Sequence, residues 1–195
     1  MYIDPTGQSF EEIACAVIVG GTCAIITGYT HIVDKLAYAS DEWLTDEKAE
    51  HNARLVYGYL KLRGWSHNAI CATLGNMNKE SSINPGKHQF YGPGYGLVQW
   101  DPASKYLDWA AKNGYASDSM AGQLAYFIAS AQFGQGHWFS RYGYSDYYLP
   151  FNDYIVSDLP IAHLTAVMMH SYERPGIPHL EERIEYAEFW NVYFS

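Results

Sequence analysis

The sequence predicts a mainly α-helical domain with a small β-hairpin beside a cleft, and three observations carry that expectation. Apolar residues recur at helical spacing in successive segments, as at Ile70, Leu74 and Met77. The segments are separated by capping residues, glycines and prolines that start and stop helices. One stretch differs: Gly92, Gly94 and Gly96 lie among Tyr91, Tyr95, Leu97 and Trp100, a pattern of a tight hairpin or short strand whose backbone can approach a ligand.

Taken in order, Thr45 or Asp46 can cap a helix that carries Ala53, Val56 and Leu60 on one face and ends at Gly64. Ser66 caps the next, whose stripe is Ile70, Leu74 and Met77. Asn84-Pro85-Gly86 stops the chain beyond it, because a residue before proline is disfavoured in the α region. After the glycine-rich stretch, Asp101 at the cap and Pro102 in the first turn start a helix that Gly114 ends. Ser117 or Asp118 opens another through Leu124, Phe127, Ile128 and Ala131, broken by Gly134 and Gly136. A loop rich in Tyr and Trp follows, to about Tyr154. A helix from Ser157 to Pro160 onward runs through Leu164, Val167 and Met168 and stops at Tyr172-Glu173-Arg174-Pro175-Gly176. The last helix, from about Pro178 to Phe194, shows Leu180, Ile184, Ala187 and Trp190.

The chain divides at about residue 40. Residues 41–195 have the composition of a globular domain, whereas residues 1–40 read as a glycine-containing apolar linker. From Ile13 to Val33 there is no Asp, Glu, Lys or Arg, a length comparable to a membrane span of roughly 20 residues. Gly20, Gly21, Thr22 and Thr27 weaken that reading, so a buried helical hairpin or transient membrane contact competes with a stable span. The start, Met-Tyr-Ile-Asp-Pro-Thr-Gly, lacks the basic region of a secretory signal.

A length of 195 residues is enough to bury a full core. The 18 tyrosines and 6 tryptophans fit either a surface that grips sugar rings or a tyrosine-rich core. The formal charge of -9 argues against nucleic acid as a partner, since phosphate binding needs a basic face. It also means that binding to an anionic cell wall would rely on stacking and hydrogen bonds. Cys15, Cys23 and Cys71 have no metal spacing, and a Cys15–Cys23 bridge is the one pairing their positions suggest.

Glu80 is the candidate catalytic residue. It falls in the last turn of the Ile70–Met77 helix, at the edge of the apolar face, where partial desolvation would help a carboxyl group keep its proton and act as a general acid. The alternative is a solvated Glu beside Lys79. Gln99 offers an amide suited to a sugar N-acetyl group or hydroxyl. Asp101 has a sufficient role as a cap.

Together these residues carry a resemblance. Asn52-Ala53-Arg54 with Tyr57 and Leu60, Gly64-Trp65-Ser66, Leu74-Gly75-Asn76-Met77, Glu80-Ser81, Ile83-Asn84-Pro85-Gly86, Tyr95-Gly96-Leu97-Val98-Gln99-Trp100 and Tyr172-Glu173-Arg174-Pro175 resemble, in that order, the phage tail lysozyme family over about residues 50–193. The resemblance implies a lysozyme-like fold and cleavage of the β-1,4 bond between N-acetylmuramic acid and N-acetylglucosamine of peptidoglycan. It implies Glu80 as the catalytic acid, and Ser81, Gly96, Leu97, Gln99, Trp100, Tyr172 and Glu173 as substrate-binding or supporting residues. A second, shorter resemblance lies in Tyr2-Ile3-Asp4-Pro5-Thr6-Gly7, which looks like the end of an Rhs (YD-repeat) core in polymorphic toxins. It implies delivery to the wall or periplasm of a target cell without a signal peptide, with an immunity protein as a further partner.

The mechanism turns on a second carboxylate, for which Asp101 and Glu173 are the candidates. Inversion needs a base roughly 6.5–9.5 Å from the acid, and retention needs a nucleophile about 5–5.5 Å away. With neither in place, Glu80 acting alone would give 1,6-anhydro products, as in lytic transglycosylases. A non-catalytic wall-binding module is the alternative from another class. Cys71 lies four residues after His67, so a thiol and its base could share a helix face, although buried cysteine is the commoner state. No His-Glu-x-x-His pattern occurs among the eight histidines, and neither a metal nor a cofactor is expected.

Overall fold

The computed structural model describes residues 22–132 and 137–195, with side chains from position 28 onward. Among these residues there are eight α-helices: α1 (Thr22–Leu36), α2 (Asp46–Lys61), α3 (His67–Ser81), α4 (Ser104–Lys112), α5 (Met120–Gln132), α6 (Phe151–Ile155), α7 (Ile161–Met168) and α8 (Leu180–Tyr193). A π turn, Met169–Glu173, continues α7. The mainly helical class expected from the sequence is the class observed.

Helix α3 is the axis of the molecule. Every residue from Ala69 to Met77 is buried, because α2, α6, α7 and α8 pack around it. Its start is fixed by Ser66, whose Oγ accepts from the Ala69 N–H at 3.1 Å, a cap of the kind that contributes about 1 kcal/mol. Two buried polar residues on it are satisfied within the core. Thr73 Oγ1 meets the Tyr154 hydroxyl at 3.0 Å, and the Asn76 amide donates to the Ala72 and Thr165 carbonyls. Gly75 sets the distance to α8, since a Cβ there would lie 2.5 Å from the Arg183 carbonyl oxygen and 2.6 Å from the Ala187 Cβ.

Seven tyrosines serve the core, Tyr29, Tyr59, Tyr95, Tyr106, Tyr126, Tyr154 and Tyr172, whereas Tyr38, Tyr91, Tyr142, Tyr144, Tyr147 and Tyr186 are exposed. Helix α1 belongs to that core through Tyr29 and Val33 and packs on α2 and α5. The Asp34 carboxylate at its end accepts from Ser119 Oγ at 2.7 Å and from the Ala121 N–H at 2.8 Å, so it anchors the start of α5. Among the described residues no helix is long and apolar enough to cross a membrane. Residues 1–21, which hold the Rhs-like hexapeptide, Cys15 and the first part of the apolar run, lie outside the described residues.

Two local expectations are corrected. The glycine-rich stretch makes no β-hairpin among the described residues. It forms a turn-rich loop with two isolated antiparallel bridges, His88 to Tyr95 and Tyr95 to Trp100. Tyr95 is shared by both, and Pro93 with the flanking glycines leaves no run of paired residues for a ladder. Asp101 does not cap α4, which starts at Ser104 after Ala103, because Asp101 and Pro102 belong to the preceding bend.

Candidate active site

The last turn of α3 delivers Glu80 to an open groove of about 730 Å³ lined also by Asp41, Glu42, Trp43, Lys87, Gln89, Phe90 and Gln99. The turn ends abruptly because Ser82 and Ile83 both adopt φ of 55°, which leaves the last helical side chains at the mouth of the groove. Ser81 makes that exit rigid: its Oγ donates to the Leu97 carbonyl at 3.0 Å and accepts from the Asn84 N–H at 3.1 Å.

Behind Glu80 lies a charged cluster built from three elements. Helix α8 contributes Arg183, whose side chain is 2% exposed against 18% for Glu80. Its guanidinium donates to Glu80 Oε1, to Asn76 Oδ1 at 3.1 Å and, through Nε, to the Pro178 carbonyl at 2.9 Å. The π turn contributes Glu173. Its Oε1 is buried without a hydrogen-bond partner, although the residue as a whole keeps some exposure. Burial, followed by the nearby charge of Glu80, raises the Glu173 pKa well above the ordinary carboxylate value, against the opposing effects of Arg183 and Arg174. Two carboxyl groups thus stand around one guanidinium, with the ionised form of Glu173 disfavoured, and only Glu80 of the pair opens on the groove. A π turn in this place changes the register of the chain by one residue.

The other residues singled out from the sequence divide into two groups. Gln99 lines the groove, with its Nε2 held by the Lys87 and Gly96 carbonyls at 3.0 and 2.9 Å. Leu97, Trp100 and Tyr172 sit in the core and support the site from behind: Trp100 Nε1 donates to the Tyr172 hydroxyl at 2.8 Å, and that hydroxyl meets Ser130 Oγ at 2.9 Å. Gly96 has φ of 80° and brings the loop against Gln123, whose Oε1 accepts from the Leu97 N–H. Asp101 is exposed and is not among the residues lining the groove.

Sequence reasoning did not single out Arg183 as part of the site, nor Asp41, Glu42, Trp43, Lys87, Gln89 and Phe90. For Arg183 a signal existed, because it stands three residues after Leu180 and four before Ala187, a charge within an apolar stripe. The others come together through contacts far apart in sequence. Cys71 lies 3.6 Å from His67 Nε2, but burial pushes its thiol up to about 12, so it stays protonated and offers no thiolate nucleophile. Among the described residues no group of three His, Cys, Asp or Glu side chains could hold a metal ion.

Glu80 thus stands at the end of a buried helix on a solvent-open groove, with a second carboxyl group behind it. The family profile of the phage tail lysozymes matches residues 51–194, and the chain belongs to that family. It is also similar to morphogenesis protein 1 of Bacillus phage B103, with 37% identity over 158 residues that cover 78% of this chain and 42% of that protein. The chain thus spans less than half the length of this relative. Family membership points to lysozyme-like hydrolysis of peptidoglycan.

Proposed function

We propose that this protein is a muramidase that cleaves the β-1,4 bond between N-acetylmuramic acid and N-acetylglucosamine, with Glu80 as general acid. The carrying observation is that Glu80 opens on the groove while the Oε1 of its neighbour Glu173 is buried without a partner, where burial favours the protonated form. A pair that keeps one proton near neutral pH can pass it through Glu80 to the leaving glycosidic oxygen, and Arg183 steadies the carboxylate left behind. Glu173 is too enclosed to activate water, and Asp101 is not on the groove wall. Asp41 and Glu42 are the carboxylates that share the groove with Glu80, and a hydrolytic route would draw its base from them. The enzyme acts at the cell wall of a target bacterium. The phage relative supports a phage-type lysin setting, and the toxin-effector setting rests on Tyr2–Gly7 alone.

The test is mass spectrometry of fragments released from purified peptidoglycan by the wild type and by Glu80→Gln, which keeps shape and removes the proton donor. Reducing-end muropeptides from the wild type and a loss of about 10²–10⁴-fold in the variant are expected. Anhydro ends would replace hydrolysis by transglycosylation. No fragments from either protein would favour a wall-binding module.

A further inference from the structure

We infer that residues 37–44, which precede the family match at residue 51, form a rigid strap that presents Trp43 as a stacking platform for a sugar ring of the glycan strand. This rests on the glycosidase reading of the groove and adds a binding subsite to it.

The strap has no regular secondary structure, yet it is held like a sheet strand. Asn52, fully buried, exchanges two hydrogen bonds with the Tyr38 backbone, at 2.9 Å from its N–H and 2.8 Å to its carbonyl. Asn84, also fully buried, accepts from the Ser40 N–H and donates to the Ser40 and Glu42 carbonyls at 3.1, 2.8 and 2.7 Å. Lys87 Nζ donates to the Asp41 carbonyl at 3.0 Å. Gly86 lets the strap pass so close that a Cβ there would lie 2.7 Å from the Ser40 nitrogen. Leu44 buries its side chain at the end of the strap, while the neighbouring Trp43 remains 60% exposed.

An exposed tryptophan on a backbone fixed by two buried amides requires an explanation beyond packing, because its apolar surface is left in water. Trp43 lines the Glu80 groove, and Lys87 Nζ, 5.0 Å from the ring centroid, steadies the indole while most of its surface stays open to a ligand. A pyranose offers the matching apolar face of C–H groups. Its hydroxyl and N-acetyl groups find the carboxylates of Asp41 and Glu42 and the amides of Gln89 and Gln99 on the same walls. A preorganised ring costs little entropy on binding.

The experiment measures binding of the hexamer of β-1,4-linked N-acetylglucosamine to the full chain by calorimetry, in the Glu80→Gln background so that nothing is turned over. Trp43→Ala is expected to raise Kd about tenfold and Trp43→Phe to recover part of that loss. Phe189→Ala, in a separate pocket beside α8, is expected to leave Kd unchanged. With Glu80 present and cell wall as substrate, Trp43→Ala should raise KM and keep kcat. Equal Kd for Trp43→Ala and its parent overturns the platform, as does a parent that binds no hexamer at millimolar concentration, or a fall in kcat at constant KM. A melting temperature unchanged by these substitutions excludes unfolding as their cause. Failure of the glycosidase reading is distinct: fragments would be missing from the wild-type digest while hexamer binding still reported on Trp43.

Discussion

At the floor of the groove Glu80, and beneath it Glu173, Arg183 and Asn76, are locked between α3, the π turn and α8, whereas on its rim Trp43 and Phe90 stand 60% and 81% exposed on irregular segments. Floor side chains are charged or polar, mostly enclosed, and each leans on another. The rim aromatics are exposed, Trp43 beside Lys87 Nζ and Phe90 against the exposed Tyr91 ring. A buried charge can be changed only by leaving its partner without compensation. An exposed ring can be removed at almost no cost to folding. Substitutions on the floor should therefore alter stability and the chemical step together, and those on the rim should alter binding alone.

The strongest challenge to that division is Arg183→Met, which keeps the apolar stem and removes the guanidinium. Glu80 and Asn76 Oδ1 would both lose a donor. Breaking a buried pair in this way costs about 3–5 kcal/mol, and the partial exposure of Glu80 places this case toward the lower figure. Urea unfolding of the variant measures it. A loss below about 1 kcal/mol would mean that the floor is solvated like a surface pair and that the contrast with the rim is false.

Gly96→Ala tests the joint between the two regions. This residue sits on the loop that carries Gln99 to the groove, at φ of 80°, and an added Cβ would lie 2.4 Å from Gln123 Oε1. Gln123 also donates to the Pro85 carbonyl at 2.6 Å, so it cannot retreat without breaking a second bond. The expected cost is about 1–3 kcal/mol, read from thermal unfolding, with a rise in KM because Gln99 shifts. Unchanged stability would show that the rim loop is not braced by the core.

What could be read from the sequence follows the range of the interactions. Ser66 and its Ala69 partner are three residues apart, and the Ile70, Leu74 and Met77 stripe spans two turns, so α3 and the position of Glu80 at its end were evident locally. Arg183 and Glu80 are 103 residues apart, and helical spacing alone reads a charge in a stripe as an interruption. The strap is still less visible, since it depends on Asn52 and Asn84 reaching across 14 and 44 residues to bare backbone. The hairpin was expected because glycine and aromatic residues alternate there, but alternation gives a ladder only where consecutive residues pair, and Tyr95 takes both bridges itself.

Glu173→Gln sharpens the comparison most finely, because it alters one proton and almost no shape. The folded protein holds the Glu173 proton above the ordinary value of 4.5, mainly through burial and then through the Glu80 charge. As pH rises past about 4.5 the unfolded chain loses this proton first, so it binds fewer protons than the folded state and stability falls with pH until the folded group has also titrated. Glutamine cannot titrate. The stability of Glu173→Gln relative to wild type should therefore be constant below that pH and increase above it, measured by melting temperature at several pH values. Because the variant can no longer lend a proton to Glu80, the alkaline limb of the pH–rate profile should also move to lower pH. A stability difference that does not vary with pH would mean that Glu173 titrates in the folded protein as it does in the unfolded chain, and at neutral pH the floor would then hold two carboxylates around one guanidinium with no proton to give.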